Sequence, residues 1–586
     1  MARALPNELL FQILKCALPY DFESLALTSK RMYALSRPLL ARHNELRSRY
    51  RSFRLGQSST DLQVLATIDP LCVPELLLDI AADPIIARYI VHADLGDRVY
   101  VNDAIDDGGR IDDYKIKERL QHPDERDRLR ALVNESRHLA MLDLSPNAWF
   151  ANIVNDEYGL AGEPDYPVAF LLSLLPNLES LALGNEWWDG DRHPRPASLG
   201  LEGGLYGDRP SAASDLLHLL VTRANDDGGL EADQDCPLRK LRILRPIYDV
   251  DEQYGASLEG IAPFLALNSL REVQYKHGVL DSVARIKGET DLVGIVDQEG
   301  KQDGENRDGG QYEKEDEIVA VRLVLPVQVT GRYAVLGPNL EILILDDTVV
   351  SAEAAGLLFK DMHHLKVLEL YYSMKDEIGW EWDVNRFLAN VANGAGQHLE
   401  RLALTAGVLG PDHARLLLPD NGDLEDLHGF RALTYLELDT KLFIASGADC
   451  FIDSSDPDCM PTPVADIAGG SVPSLVDVAP PTVREFVLHV PGTAEDRTVM
   501  EALFCDWAER RRDALLDLVR VEVVVHGEDA LGGALEDWAE QYEIARFCMA
   551  NGIQCSRVRC DPEAIKKCED SGIVFMRKDG GCSPLD

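Results

Sequence analysis

One spacing of apolar residues recurs along most of the chain: apolar, two positions, apolar, one position, apolar. It stands at Leu139-Leu142-Leu144, Leu178-Leu181-Leu183, Leu238-Leu241-Ile243, Leu270-Val273-Tyr275 and Leu340-Leu343-Leu345. It returns at Leu365-Leu368-Leu370, Leu399-Leu402-Leu404, Leu433-Leu436-Leu438, Val483-Phe486-Leu488 and Leu518-Val521-Val523. Ten copies exceed what scattered leucines would produce. The last two apolar residues of each copy alternate, as a short half-buried strand requires, and the first marks the turn into it. Helical patterns lie between several copies, for example at 352–360 and 384–391. One such unit cannot bury its apolar face alone. The pattern therefore predicts an α/β array in which short parallel strands stack side by side.

A strand and a helix per unit is the leucine-rich-repeat architecture. The intervals are irregular, from 25 residues between Leu340 and Leu365 to 70 between Leu270 and Leu340. The Asn expected after the strand stands at Asn147 and is mostly absent elsewhere. Insertions looping out of degenerate repeats account for both features. The competing fold is a doubly wound α/β domain, which has no need of so many near-identical strand entries. The largest insertion, 294–319, is rich in Gly, Asp, Glu and Gln and poor in apolar residues. Such a segment cannot offset its ordering entropy and is expected to be a disordered acidic loop. Segments 102–113 and 225–235 are similar. These stretches are either surface insertions or tethers for a basic partner.

The first 54 residues differ from the rest. Leu5, Leu9, Ile13 and Leu14 recur at helical spacing, with Pro6 suited to a first turn. A second helical run holds Phe22, Leu25, Ala26, Met32 and Leu35, and Pro38 is expected to end it before a basic helix over 39–53. Three short helices enclose little apolar area, so such a unit should expose part of its apolar surface until a partner covers it. The segment carries ten Arg and Lys against four Asp and Glu, a net of +6. The whole chain carries -42, so the other 532 residues carry -48. A surface this acidic repels phosphate backbones and anionic membranes, and neither nucleic acid nor membrane is expected as a partner. The acidity serves either solubility or the choice of a basic partner.

No run approaches the ~20 apolar residues needed to span a bilayer. MARALPNELL has no apolar stretch suited to a signal peptide, and the eleven cysteines form no tight framework. A cytoplasmic or nuclear protein with reduced thiols is expected. Candidate chemistry is sparse. Glu186-Trp187-Trp188-Asp189 and Trp380-Glu381-Trp382-Asp383 pair carboxylates with aromatics, as glycoside cleavage would, but adjacent residues point apart and both clusters fall in predicted loops. They read better as aromatic anchors for a protein ligand. Cys548, Cys555, Cys560 and Cys568 lack the paired spacing zinc favours. No H-E-x-x-H, phosphate-cradling or G-x-S-x-G motif occurs, so no metal, cofactor or catalytic residue is predicted.

The stretch LPNELLFQILKCALPYDFESLALTSKRMYALSRP resembles an F-box, in the form common in fungal proteins. The opening Leu-Pro is Leu5-Pro6, and Glu8, Leu9, Leu10, Ile13 and Leu14 follow the family pattern. Leu25, Leu27, Ser29, Lys30, Arg31 and Tyr33 match its later part. Met32-Tyr33 stands where many F-boxes carry Trp, and the Pro19-Tyr20-Asp21 loop departs from the commonest form. The resemblance implies a non-catalytic substrate receptor of an SCF-type ubiquitin ligase. Its F-box would bind the acidic adaptor subunit, and through it a cullin, by way of Leu5, Pro6, Leu9, Ile13, Leu14, Leu25 and Leu27. The repeats would hold a protein substrate on their concave sheet. Strand alternation places Lys240, Arg242, Glu272, Gln274, Lys276, Glu369, Tyr371, Arg401, Tyr435, Glu437 and His489 outward there. An F-box scaffold that binds partners without ubiquitin transfer is the alternative. The chain then divides into an F-box at 1–54, a helical linker at 55–135, an irregular array at 136–530 and a C-terminal cap or tail at 531–586.

Overall fold

The computed structural model describes residues 5–54, 73–95, 119, 122–155, 165–183, 212–226, 235–246, 258–276, 279–280, 335–346, 348–350, 352–373, 384–407, 427–443, 474–490, 494–505, 507, 510, 514–526 and 554–559. The insertion at 294–319, both tryptophan–carboxylate clusters, and Cys548, Cys560 and Cys568 lie outside these residues.

The chain opens with three helices, α1 (Asn7–Cys16), α2 (Phe22–Leu27) and α3 (Lys30–Tyr50). Ser29 caps α3 by accepting the Met32 N–H. Leu10, Leu14, Phe22 and Met32 form a small core of their own. The break expected at Pro38 does not occur, and α3 runs through it for 21 residues. Proline fits helical φ and removes only one N–H bond. Burial of His43, Leu46 and Tyr50 beyond it outweighs that loss. Leu46 and Tyr50 belong to the main core, so α3 ties the N-terminal module to the rest of the chain.

The strands begin immediately after α3. They are β1 (Ser52–Arg54), β2 (His92–Asp94), β3 (Ser180–Leu183), β4 (Ile243–Pro246), β5 (Glu272–Lys276), β6 (Val279–Leu280) and β7 (Ile342–Asp346). They continue with β8 (Val349–Val350), β9 (Val367–Ser373), β10 (Arg401–Gly407), β11 (Tyr435–Asp439), β12 (Glu485–Val490), β13 (Arg520–His526) and β14 (Gln554–Arg559). Among the described residues twelve strands form one sheet, all parallel, in an order identical to their order in sequence. Only β6 and β8 stand apart, paired with each other. A doubly wound sheet reverses its strand order at a switch point; this one does not. The fold is a one-directional, solenoid-like α/β array.

Each unit repeats the same backbone bonds. From β1–β2 through β12–β13, the carbonyl just before one strand accepts the N–H just before the next strand and that strand's first N–H. Arg51 takes Val91 and His92, Val91 takes Glu179 and Ser180, and the series runs on to Arg484, which takes Val519 and Arg520. The apolar residue that opens a unit bonds back three positions: Leu270 to Leu267, Leu340 to Gly337, Leu365 to Met362 and Val483 to Pro480. The second apolar residues stand in register: Phe53, Ala93, Leu181, Leu244, Val273, Leu343, Leu368, Leu402, Leu436, Phe486 and Val521. They line one continuous core shared with the helices, in which Phe359 and Phe387 of successive units meet edge to face at 5.8 Å.

Several expected positions move. Leu139-Leu142-Leu144 is no strand: Ser136 caps a short helix, Arg137–Met141, and Asp143 turns at φ 52°. In the third unit the opening residue is Leu241, which bonds back to Leu238, and Leu181 pairs with Leu244. The true copy is Leu241-Leu244-Pro246. Proline in the third place made the preceding leucine match one turn early. The sheet also reaches past both expected limits of the array, since β1 and β2 lie before residue 136 and β14 lies after 530. Between the first two strands, the expected linker supplies two helices, α4 (Val73–Ala82) and α5 (Ile86–Tyr89). Among the described residues no helix is long and apolar enough to cross a membrane.

Candidate protein-docking surfaces

The N-terminal module carries the larger apolar exposure. Leu9 and Ile13 lie one helical turn apart on one side of α1, Leu9 51% exposed, and Leu5, just before the helix, is exposed as well. Leu27, at the end of α2, is 77% exposed, and Pro6 is also exposed. Covering such half-exposed side chains contributes about 1 kcal/mol each. Two residues expected on this face are not free on it. Leu14 is fully buried in the module's own core, and Leu25 is half-buried against that core. Leu14 turns inward because the step from Leu9 exceeds one helical turn and carries it to another side of α1. Tyr20 and Tyr33 of the module are also exposed.

Arg31 fastens the start of this face. Its guanidinium donates to the Leu5 carbonyl at 2.7 Å and to the Asn7 side-chain oxygen at 2.7 and 2.9 Å. Half of the +6 excess is used within the chain, by three arginines that pair with acids beyond the module. Arg42 pairs with Asp83, Arg47 with Glu23, Arg49 with Asp79 and Arg54 with Asp94. Three of these four acids lie beyond the module, so its positive charge holds it to the acidic array. His43 completes the seam: it is buried, 2.8 Å from the Tyr89 hydroxyl and 3.4 Å from Glu23. Burial holds the His43 imidazole below its ordinary pKa, against the opposing pull of Glu23.

The second surface is the sheet face turned away from the core. Four neighbouring strands bring Glu369, Arg401, Tyr435, Glu437 and His489 into one network. Arg401 donates to Glu369 at 2.7 Å and to Glu437 at 3.4 Å, and its guanidinium lies 3.7 Å from the Tyr435 ring centroid. The Tyr435 hydroxyl donates to Glu437 at 2.6 Å, and His489 stands 2.6 Å from the other Glu437 oxygen. Burial raises the pKa of the Glu437 carboxyl, but His489, Tyr435 and Arg401 overcome it and hold the group at about 2. Burial, then Glu437, pushes the Tyr435 phenol up. Both Glu437 oxygens are engaged and ionised, so the group has neither a proton to give nor the basicity to take one. The network is a structural charge cluster that fixes side chains on a surface.

Of the residues expected on this face, Gln274, Glu369, Tyr371, Arg401, Tyr435, Glu437 and His489 lie on it, although His489 is largely buried. Arg242 does not. The phase error in the third unit placed it in the strand, whereas it stands on the rim and its carbonyl receives Arg271 and Glu272. Arg245 takes the facing position, donating to Gln274 at 3.1 Å and standing 3.6 Å from Glu272. Lys240 stacks over the Tyr20 ring at 4.8 Å and donates to Asn177, joining module to array. Lys276 lies on β5 in register with Asp346, and its side chain lies outside the described residues. Apolar Ile342, Ile344 and Val367 also lie on this face, half-buried. Their place is readable from strand alternation once the register is known. No protein-family model matches the chain, and no curated protein matches it either.

Proposed function

We propose that this chain is the substrate-recognition subunit of an SCF-type ubiquitin ligase. Its N-terminal module is an F-box that docks on the adaptor, and through it a cullin; the leucine-rich-repeat array holds a protein substrate. The observation that carries this reading is the exposure of Leu5, Leu9 and Ile13, and of Leu27 at the end of α2, on a module whose own core holds only four buried residues. Apolar surface grouped in this way on a small helical unit marks a site that a protein partner covers. The F-box resemblance of residues 5–38 names the partner. The chain catalyses nothing in this role. It raises the effective concentration of a captured protein near a ubiquitin-charged enzyme.

Co-purification of the full chain with the adaptor tests the reading. Changing Leu9 and Leu27 together to Ser removes two exposed apolar contacts and leaves the module's core intact. Capture should weaken at least about tenfold, with the thermal transition unmoved. Undiminished capture by this variant refutes the docking face. Substrate turnover that persists without the adaptor or the cullin refutes the ligase role.

A further inference from the structure

The open face has a chemical pattern that names a class of partner for the proposed receptor, and the inference rests on that reading. Three central strands form a grid on this face. One row is Glu272, Ile342 and Val367; the next is Gln274, Ile344 and Glu369. Two carboxylates thus occupy opposite corners, with two isoleucines between them. Adjacent strands are ~4.8 Å apart and residues rise ~3.3 Å, so the corners lie about 12 Å apart on the diagonal.

Both isoleucines are half-buried, leaving apolar surface open at the centre. Each corner carboxylate is held by an arginine from outside the grid, Glu272 by its grid neighbour Gln274 as well. Arg401 donates to one Glu369 oxygen, while Gln274 and Arg245 engage one Glu272 oxygen. The second oxygen of each has no partner among the described residues. The held oxygens fix the side chains in place; the other two remain able to accept.

We propose that this grid binds an extended protein segment with an apolar side chain between two basic ones, spaced basic–x–apolar–x–basic. In an extended chain residues i, i+2 and i+4 point the same way, and i to i+4 span about 13 Å, matching the diagonal. The apolar residue sits over Ile342 and Ile344, and Lys or Arg reaches each free carboxylate oxygen. Charge complementarity selects this occupant over another copy of the chain, since copies carrying -42 each repel one another.

Fluorescence anisotropy of the full chain with dye-labelled Gly-Lys-Ser-Leu-Ser-Lys-Gly tests this. Matched probes replace both Lys by Glu, or Leu by Ser. The basic apolar probe should bind, the Leu-to-Ser probe about tenfold more weakly, and the Glu probe not at all. Binding should weaken with added salt. Glu272→Gln with Glu369→Gln keeps the hydrogen-bond acceptors and should erase the preference for Lys over Glu. Ile344→Thr keeps a β-branched strand residue and should erase the preference for Leu over Ser. No binding of the basic probe, equal binding of the Glu probe, a preference that survives the double substitution, or displacement of the probe by self-association overturns the proposal. Adaptor capture by the same preparation separates the two readings. Capture without peptide binding sinks only the grid, and peptide binding without capture sinks only the ligase role.

Discussion

Replacing Glu437 by Gln probes how the array holds its charges. The carboxyl is lowered from 4.5 to about 2 by His489, Tyr435 and Arg401 acting against its burial. A difference of that size corresponds to about 3 kcal/mol of preference for the ionised form in the folded state. The unfolded chain binds its proton first on acidification, so this stability is fully present above pH 4.5 and is lost as pH falls toward 2. About 2 kcal/mol of it should be gone by about pH 3. A glutamine side chain is the same size and still accepts from Tyr435, so Glu437→Gln removes charge with little change in packing. At neutral pH it should lower the local opening free energy by about 2–3 kcal/mol. Repeat arrays open in parts, which makes hydrogen exchange of the β11 and β12 amides the right assay, rather than a single global transition. The difference between wild type and variant should shrink steadily from about pH 5 to about pH 3. A difference below about 0.5 kcal/mol at neutral pH, or one that does not change with pH, refutes the assignment of the network as a stabilising charge cluster.

Three further outcomes follow from the geometry. Leu14→Ala empties the four-residue core of the N-terminal module and should cost about 3 kcal/mol in urea unfolding, whereas Leu9→Ala, on the exposed side of α1, should cost less than about 0.5 kcal/mol and weaken adaptor capture. A Cβ at Gly394 would overlap the Phe359 carbonyl of the preceding helix, so Gly394→Ala should destabilise the middle of the array by about 3 kcal/mol or more, read as raised exchange in β9 and β10. His43 is held below its ordinary pKa by burial, so the seam between α3 and α5 keeps its full stability above pH 6.5 and loses it below; limited proteolysis should cut this seam faster at about pH 5.5 in the wild type, and His43→Gln should remove that pH dependence.

Much of the array was legible because one spacing carries both secondary structure and burial. An apolar residue, a turn and two alternating apolar residues specify a short strand wherever neighbours exist to cover it. The spacing failed where a unit used other residues for the same places. Ile90-Ala93-Leu95 has the right spacing and all three residues are buried, but Ala is a weak hydrophobic signal. Tyr50 and Phe53 open the first unit with aromatics at the end of a helix, where helical periodicity masks them. At Leu139 the spacing is present, yet Ser136 caps a helix over the same residues. The inward turn of Leu14 was also hidden, since Leu9, Leu10, Ile13 and Leu14 are equally apolar and only packing against Phe22 and Met32 separates inside from outside.

The sequence by itself determined that the chain builds a stacked α/β array behind a helical module, since both follow from local periodicity and turn residues. The tertiary structure decided register, and with it the surfaces. Which leucine opens the third unit, that Arg245 rather than Arg242 faces outward, and that Glu272 and Glu369 bracket two isoleucines all depend on how separate strands align. It also decided that Arg42, Arg49 and Arg54 of the first 54 residues grip acids beyond them. The physical reason is the same in each case. Periodicity is a property of neighbouring residues, whereas register and ion pairing join residues tens of positions apart, and only the folded chain brings those together.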